Sequence, residues 1–336
     1  MSGANIPYHL RLHKHVDRAL FIELCGHIAR AHGVTSSTYA YVSMAGRHLV
    51  DLNMAHTTLR INKLFSIDSD RSTVKRQLFN RRYGCIDCKE MTSTDLVQDL
   101  SDFVHQNRIK RLVLWLDYTD PSALRTQLDD VNKACAQLCS GDILKVTINA
   151  ALGSLAERRF REESEEYSVR QRRTLLERLD SYAPAAARTD SIDKNTLLTM
   201  YAQALQSAVE RGLASNPKDL DHVLASAFVY EDGQRMATFT VSIVDDGARV
   251  MHRRNLRSGW PFVPNSWADV KAIKVPMLSQ REREAIESRL YRYSPRKIAR
   301  SLPFPLDGNL DEATRQIIAF RDYHHFFPAF VSAVVV

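Results

Sequence analysis

Two acidic residues at the ends of strand-like runs are the first candidates for chemistry. Asp68 closes the run KLFSID, 22 residues after Gly46, which lies in a turn between a β-type run and a helix. A strand, a glycine turn and a helix open many nucleotide-binding sheets, and an acidic residue about 20 residues later accepts the ribose hydroxyls. Asp117 ends LVLWLD, the most apolar strand-like run of the chain. A carboxylate in that position can orient or deprotonate a nucleophile.

Simpler interpretations of these residues stay open. The complete G-x-G-x-x-G pattern is absent, and a single glycine also fits a plain turn. Asp70 competes with Asp68 for the ribose, although its position favours the N-cap of the following helix. Asp120, which precedes Pro121, is predicted to cap a helix as well. For Asp117 a structural role is as open as a catalytic one.

These residues need a sheet to bring them together, and the chain predicts one. Strand-like runs alternate with helices over the first 150 residues: 38–43, 63–68, GCIDCK, RIKRLVLWLDY and GDILKVTINA. This alternation predicts a parallel doubly wound sheet, an α/β fold. Further along, the turn signal Asp232-Gly233 lies between two β-type runs and predicts a hairpin. The carboxyl ends of parallel strands meet at one edge, where open α/β sheets bind ligands.

The rest of the chain predicts helices around this core. We expect a Rossmann-like core over 1–150 and 225–248, with a helix at its N-terminus. A helical insertion over 151–224 and a basic, mainly helical extension over 249–336 complete the predicted domains. Residues 249–301 contain 13 Lys and Arg against 4 Asp and Glu, a surplus larger than the net charge of +7. This surplus predicts a nucleic acid or protein partner, with a solvated helix face as the alternative.

Composition places the chain among ordinary globular proteins of a reducing compartment. Its 336 residues can bury a large core, and its five cysteines fit a reducing compartment better than a disulfide framework. The cysteine pairs at 85–88 and 135–139 are interpreted as strand and helix positions, and no metal is expected. Asp17 and Glu23 interrupt the N-terminal apolar stretch, and no apolar run reaches membrane-spanning length. We therefore expect a cytoplasmic protein.

The order of these segments resembles the class I S-adenosylmethionine-dependent methyltransferase superfamily. That fold has a seven-stranded sheet whose last strand is inserted antiparallel. The resemblance rests on YVSMAG, LFSIDSD, KRQLFN, LVLWLDYTDP and GDILKVTINA, in this order, and covers residues 16–150 and 225–245. In detail the chain is similar to bacterial proteins described as O-methyltransferases. The resemblance implies S-adenosylmethionine as the cofactor and an oxygen or nitrogen atom as the methyl acceptor.

The resemblance also implies a set of cofactor-binding residues. Ala45 and Gly46 would let the cofactor approach the backbone closely after the first strand, and Asp68 would bind its ribose. Lys14, in a cationic N-terminal segment, would reach the carboxylate of the cofactor, with a solvated lysine as the alternative. Three residues after the third strand would contact the adenine: Met91, Thr92 and Ser93. Helix capping is the alternative role for the last two.

The implied catalytic residues follow the fourth and fifth strands. Asp117 and Tyr118 would lie where methyl transfer takes place. Asn149, at the end of the fifth strand, would bind substrate or close a local hydrogen-bond network. The chain departs from the family in having one glycine after the first strand, and it lacks the two prolines typical of the amino-methyltransferases. A methyltransferase-like binding protein with reduced catalysis, acting in a bacterial assembly, and an NAD-dependent oxidoreductase are therefore kept as alternatives.

Overall fold

The computed structural model describes three stretches of the chain: 11–155, 165–184 and 192–328. The chain divides into two units, a larger one formed by Phe21–Lys271 and a smaller one formed by Met1–Leu20 with Ala272–Val336. The larger unit contains the predicted sheet. The division at residue 271 falls inside the predicted C-terminal extension, and the boundaries of the predicted domains stay a prediction.

Eight strands lie in the described residues: β1 (Ala40–Ser43), β2 (Lys63–Asp68), β3 (Ile86–Glu90), β4 (Leu112–Asp117), β5 (Ile143–Asn149), β6 (Leu220–Glu231), β7 (Arg235–Asp245) and β8 (Lys271–Ala272). They form one sheet of order β3-β2-β1-β4-β5-β7-β6-β8. The first five strands pair in parallel, whereas β7 is antiparallel to both β5 and β6. This topology confirms the predicted Rossmann-like sheet with β7 inserted antiparallel, and the two-residue strand β8 adds an eighth strand to the seven that were predicted.

The central strands are buried on both faces, as their continuous apolar runs predict. Every residue of β5 is buried, and in β4 only the terminal Asp117 is partly exposed. The first strand begins at Ala40, two residues later than predicted, because Ser36–Thr38 form a short 3-10 turn. The predicted hairpin turn is present, and Gly233 supplies the left-handed backbone that the turn requires, with φ of 85°.

The helices lie in chain order between and after these strands: α1 (Leu12–Ala31), α2 (Val50–Leu59), α3 (Arg71–Asn80), α4 (Ser93–Gln98), α5 (Leu100–Gln106), α6 (Leu124–Cys135), α7 (Glu165–Leu179), α8 (Lys194–Ala214), α9 (Arg249–Gly259), α10 (Gln280–Glu287), α11 (Pro295–Ser301) and α12 (Leu310–Tyr323). The run TSTDLVQDLSDFVH after the third strand predicts one helix, but it forms two helices that meet at Asp99. No helix in the described part of the chain is both long and apolar enough to cross a membrane.

A glycine late in a helical run is typical of a helix end, and the sequence therefore predicts that Gly212 ends its helix, but Gly212 lies inside α8. A Cβ atom on Gly212 would lie 2.4 Å from the carbonyl oxygen of Asn132 and 2.6 Å from the Cβ of Cys135. Both of these residues belong to α6. The glycine therefore allows the backbone of α8 to approach α6 closely, which a single helix sequence does not reveal.

Part of the basic segment has a structural role. Arg253 donates to the carbonyl oxygen of Pro264 at 2.6 Å, and Arg257 donates to the side-chain oxygen of Asn265 at 2.7 Å. Trp260 is buried among the rings of its neighbours. These contacts tie α9 to the loop that follows it. A nucleic acid partner for this segment stays a prediction.

Candidate active site

The end of β1 lies between two carboxylates. In the strand register, Ser43 of β1 is level with Ser66 of β2 on one side and with Trp115 of β4 on the other. Asp68 and Asp117 each lie two residues further along their strands, so they stand at the same height beyond the end of β1. Two strand spacings separate them, about 10 Å. The order of the strands reverses here, between β1 and β4, and open α/β sheets bind ligands at such a switch point.

The loop between β1 and α2 is held by two side-chain amides of α3. Gln77 donates from Nε2 to the carbonyl oxygen of Ala45 at 2.5 Å, and its Oε1 accepts the hydroxyl of Ser66 at 3.0 Å. Asn80 donates to the carbonyl oxygen of Arg47 at 2.8 Å. The Gln77 side chain is fully buried, so both ends of its amide are committed to this loop and its neighbouring strand. The segment KRQLFN therefore fixes the loop backbone before any ligand binds.

Gly46 is not required here for a left-handed backbone conformation. It is not among the described residues with positive φ, whereas Leu49, at the N-cap of α2, has φ of 51°. A non-glycine residue in the left-handed region costs about 1–2 kcal/mol. The Leu49 side chain is buried, and its backbone N–H donates to the carbonyl oxygen of Gly46 at 3.0 Å. Core packing thus holds a strained turn beside the glycine.

Asp68 has one oxygen committed to the protein and one available to a ligand. Its Oδ1 accepts the backbone N–H of Asp70 at 2.8 Å, and Oδ2 has no hydrogen-bond partner in the described ranges. Partial burial raises the pKa of Asp68, and the nearby guanidinium of Arg47 acts in the opposite direction. Asp70 accepts the backbone N–H groups of Ser72 and Thr73, so its predicted role as an N-cap is confirmed. The geometry favours Asp68 over Asp70 for the ribose.

The segment after β3 begins beside Asp68. The backbone N–H of Met91 donates to the carbonyl oxygen of Asp68 at 3.0 Å, and the Met91 side chain packs against the main core of the larger unit. Thr92 forms a capping box with Asp95, in which its hydroxyl oxygen accepts the backbone N–H of Asp95 at 3.0 Å. The capping alternative for Thr92 is therefore confirmed. Contact of either residue with an adenine stays a prediction.

Asp130 joins the segments that follow β3 and β4, and the sequence reasoning missed it. Its Oδ2 accepts three hydroxyl groups, from Ser93 at 2.9 Å, Thr94 at 3.2 Å and Tyr118 at 3.0 Å. The side chain is buried in α6, and this burial raises its pKa while the hydroxyl donors lower it. The sequence holds one signal for Asp130, because it lies one helical turn before the apolar Ala134 and so shares a helix face with it.

Tyr118 and Asn149 are both committed to local hydrogen bonds. The Tyr118 hydroxyl faces Asp130 in the core, so any contact of Tyr118 with an acceptor would have to use its ring. Asn149 donates to the carbonyl oxygen of Thr119 at 3.1 Å and to Oε1 of Gln234 at 3.2 Å. Of the two roles predicted for Asn149, the local network is the one present. Direct substrate binding by either residue stays a prediction.

Lys14 and Arg47 are the two cations considered for this site. Lys14 lies in the first turn of α1, belongs to the smaller unit and has a buried side chain. Its assignment to the cofactor carboxylate stays a prediction. Arg47 lies in the loop after β1 itself, and its charge opposes the burial that raises the pKa of Asp68. The sequence reasoning did not single out Arg47.

Comparison with known proteins places this chain in a family. A family model described as "Putative O-methyltransferase" matches residues 6–335. Among solved structures, a protein of the NADB-Rossmann superfamily from Streptococcus agalactiae is 11% identical, with a TM-score of 0.33, over 88% of this chain and 96% of that chain. The plantazolicin methyltransferase BpumL, in complex with a triazolic desmethylPZN analog and SAH, is 11% identical, with a TM-score of 0.30, over 67% of this chain and 85% of that chain. No curated protein matches the chain. Because the family model spans nearly all of its length, the chain belongs to this O-methyltransferase family, within the class I methyltransferases that its motifs resemble.

Proposed function

We propose that this protein binds S-adenosylmethionine at the carboxyl edge of the sheet and transfers its methyl group to an oxygen atom of an acceptor. One observation carries the proposal. Asp68 presents an oxygen without a protein partner in the described residues, beside a preset loop whose Ala45 and Gly46 have almost no side chain. The family match supports the reaction type.

The residues present fit this cofactor. The free oxygen of Asp68 can accept ribose hydroxyls, since an ionised carboxylate only accepts hydrogen bonds. The loop after β1 is already fixed by Gln77 and Asn80, so little ordering is needed on binding. Met91 offers an apolar side chain next to Asp68 for the base. When bound, S-adenosylmethionine supplies a methyl group on a positively charged sulfur, which makes the methyl carbon electrophilic.

Asp117 is the residue best placed to assist the transfer. It lies across the end of β1 from Asp68, about 10 Å away by strand spacing. There its carboxylate can accept the hydroxyl proton of the acceptor as the new oxygen–carbon bond forms and the sulfur–carbon bond breaks. Holding the acceptor in line with the methyl group supplies most of the remaining rate enhancement.

Calorimetric titration of the full chain tests the proposal. S-adenosylmethionine and S-adenosylhomocysteine should bind, and NAD should not. Incubation with radiolabelled S-adenosylmethionine should then label an acceptor. Binding of S-adenosylmethionine without transfer of its radiolabel to any molecule would favour the methyltransferase-like binding protein. Preferential binding of NAD would favour an oxidoreductase.

A further inference from the structure

We infer that the methyl acceptor is a small organic anion with a hydroxyl group and an apolar body, bound in a cavity beside Asn149. This inference rests on the proposed function, because it identifies the second substrate of the same site. The cavity has a volume of about 540 Å³. Small-molecule sites have volumes of about 300–1,000 Å³, so the cavity suits a small molecule and not a polymer.

The cavity lies at the same edge of the sheet as Asp117, the candidate catalytic carboxylate. Its walls are the loop after β5, the helix α7, the first turn of α8 and the turn between β6 and β7. Gln234, which lines the cavity, accepts a hydrogen bond from Asn149 at 3.2 Å. Asp117 pairs with Thr147 across β4 and β5, and Asn149 follows two residues later. The Cα atom of Asn149 therefore lies about 8 Å from that of Asp117, one strand spacing across the sheet and two residues along it, and the cavity begins beyond it at Ala151 and Gln234.

The charged lining favours an anion. Lys194 and Arg235 contribute two positive charges, and Glu231, opposite Arg235 in the hairpin register, contributes one negative charge. Lys194 is exposed and forms no ion pair with any described residue. The carboxylate of Asp193 already caps the N-terminal end of α8, so the attraction for an anion comes from Lys194 and Arg235 and not from the helix end.

The apolar residues that line the cavity favour a ligand with an apolar body. Tyr167 of α7 and Ile192 are both buried at the cavity wall, and Leu152 lies on the loop after β5. Gln171 of α7 donates to the carbonyl oxygen of Leu152 at 3.3 Å, which ties that loop to α7. An apolar body can pack on these side chains while its acidic group meets Lys194 and Arg235. The hydroxyl group would then extend toward Asp117.

The experiment uses the full chain with radiolabelled S-adenosylmethionine and a bacterial cell extract divided by size. The expected product is a low-mass labelled molecule that an anion exchanger retains. Labelled macromolecules, labelled neutral molecules, or cofactor binding without any labelled low-mass anion would each overturn the inference. These outcomes leave the proposed cofactor site intact, whereas failure to bind S-adenosylmethionine would instead remove the proposed function.

Charge reversal at the cavity provides the second readout. Lys194→Glu and Arg235→Glu should each raise the KM for the labelled acid about tenfold or more, with the KM for S-adenosylmethionine nearly unchanged. Arg254→Glu, at an exposed arginine of α9 outside the cavity, is the matched control and should behave like the parent. Equal KM values for the acid in all three variants would show that the cavity does not bind it. Lys194→Gln and Arg235→Gln repeat the test with smaller changes should a reversed charge disturb folding.

Discussion

Replacement of Asp68 by asparagine is the sharpest test of the cofactor site. In the parent, the backbone N–H of Asp70 donates to Oδ1 of Asp68 at 2.8 Å. Asparagine keeps one oxygen, which can still accept this hydrogen bond. The second oxygen becomes an amide that can no longer accept a ribose hydroxyl. A hydrogen bond to a charged group is worth about 1.5–3 kcal/mol. The affinity for S-adenosylhomocysteine should therefore fall by about 10- to 150-fold.

Calorimetric titration of S-adenosylhomocysteine measures this loss. Asp70→Asn is the matched control, because it removes a carboxylate two residues away while asparagine remains a good N-cap for α3. A folded Asp68→Asn variant with parental affinity would refute the ribose assignment. An equal loss in Asp70→Asn would show that the local negative charge matters and that the hydrogen bond does not.

The same site predicts a pH dependence of cofactor affinity. In the protein without bound cofactor, partial burial raises the pKa of Asp68 above the ordinary aspartate value of 3.8. Only the ionised carboxylate accepts both the Asp70 N–H and a ribose hydroxyl, so affinity should fall as the pH falls through this raised pKa. The loss should begin at a higher pH than for an ordinary aspartate, and Asp68→Asn should not show it.

Substitutions at four further positions test other parts of the argument. Gly46→Val should abolish S-adenosylhomocysteine binding by filling the loop, and Gly46→Ala should weaken it less, whereas parental titrations for both would make the loop a plain turn. Asp117→Asn should leave S-adenosylhomocysteine affinity nearly unchanged but slow methyl transfer by about 10²–10⁴, and a parental rate in the radiolabel assay would assign it a structural role. Gly212→Ala should lower the free energy of unfolding in urea by about 1–3 kcal/mol, since a Cβ there meets the backbone of α6; an unchanged midpoint would contradict this packing. Burial raises the pKa of Asp142 to about 6. The neutral carboxyl therefore stabilises the fold fully only well below the ordinary pKa of 3.8, and this contribution is lost as the pH rises through about 6. The stability of the parent relative to Asp142→Asn should fall by about 2 kcal/mol between pH 4 and 7.

The sequence by itself determined the order and type of the strands. Apolar runs such as LVLWLD are long enough to predict strands buried on both faces, and the second strand has the predicted bounds, Lys63–Asp68. The caps at Asp70 and Thr92 were also predictable, because each joins atoms two or three residues apart. Local signals of this kind depend on spacing along the chain and need no knowledge of packing.

The tertiary structure alone decided how the site is supported. Asp130 receives hydroxyls from residues 12, 36 and 37 positions away, and Gln77 reaches the carbonyl oxygen of Ala45 across 32 positions. Such pairs form only when helices pack on the sheet in one register, which no local pattern specifies. The same reason explains why Gly212 looked like a helix end and is a close contact between two helices. Side chains that lie far apart in the chain meet through packing, and packing is a property of the folded molecule.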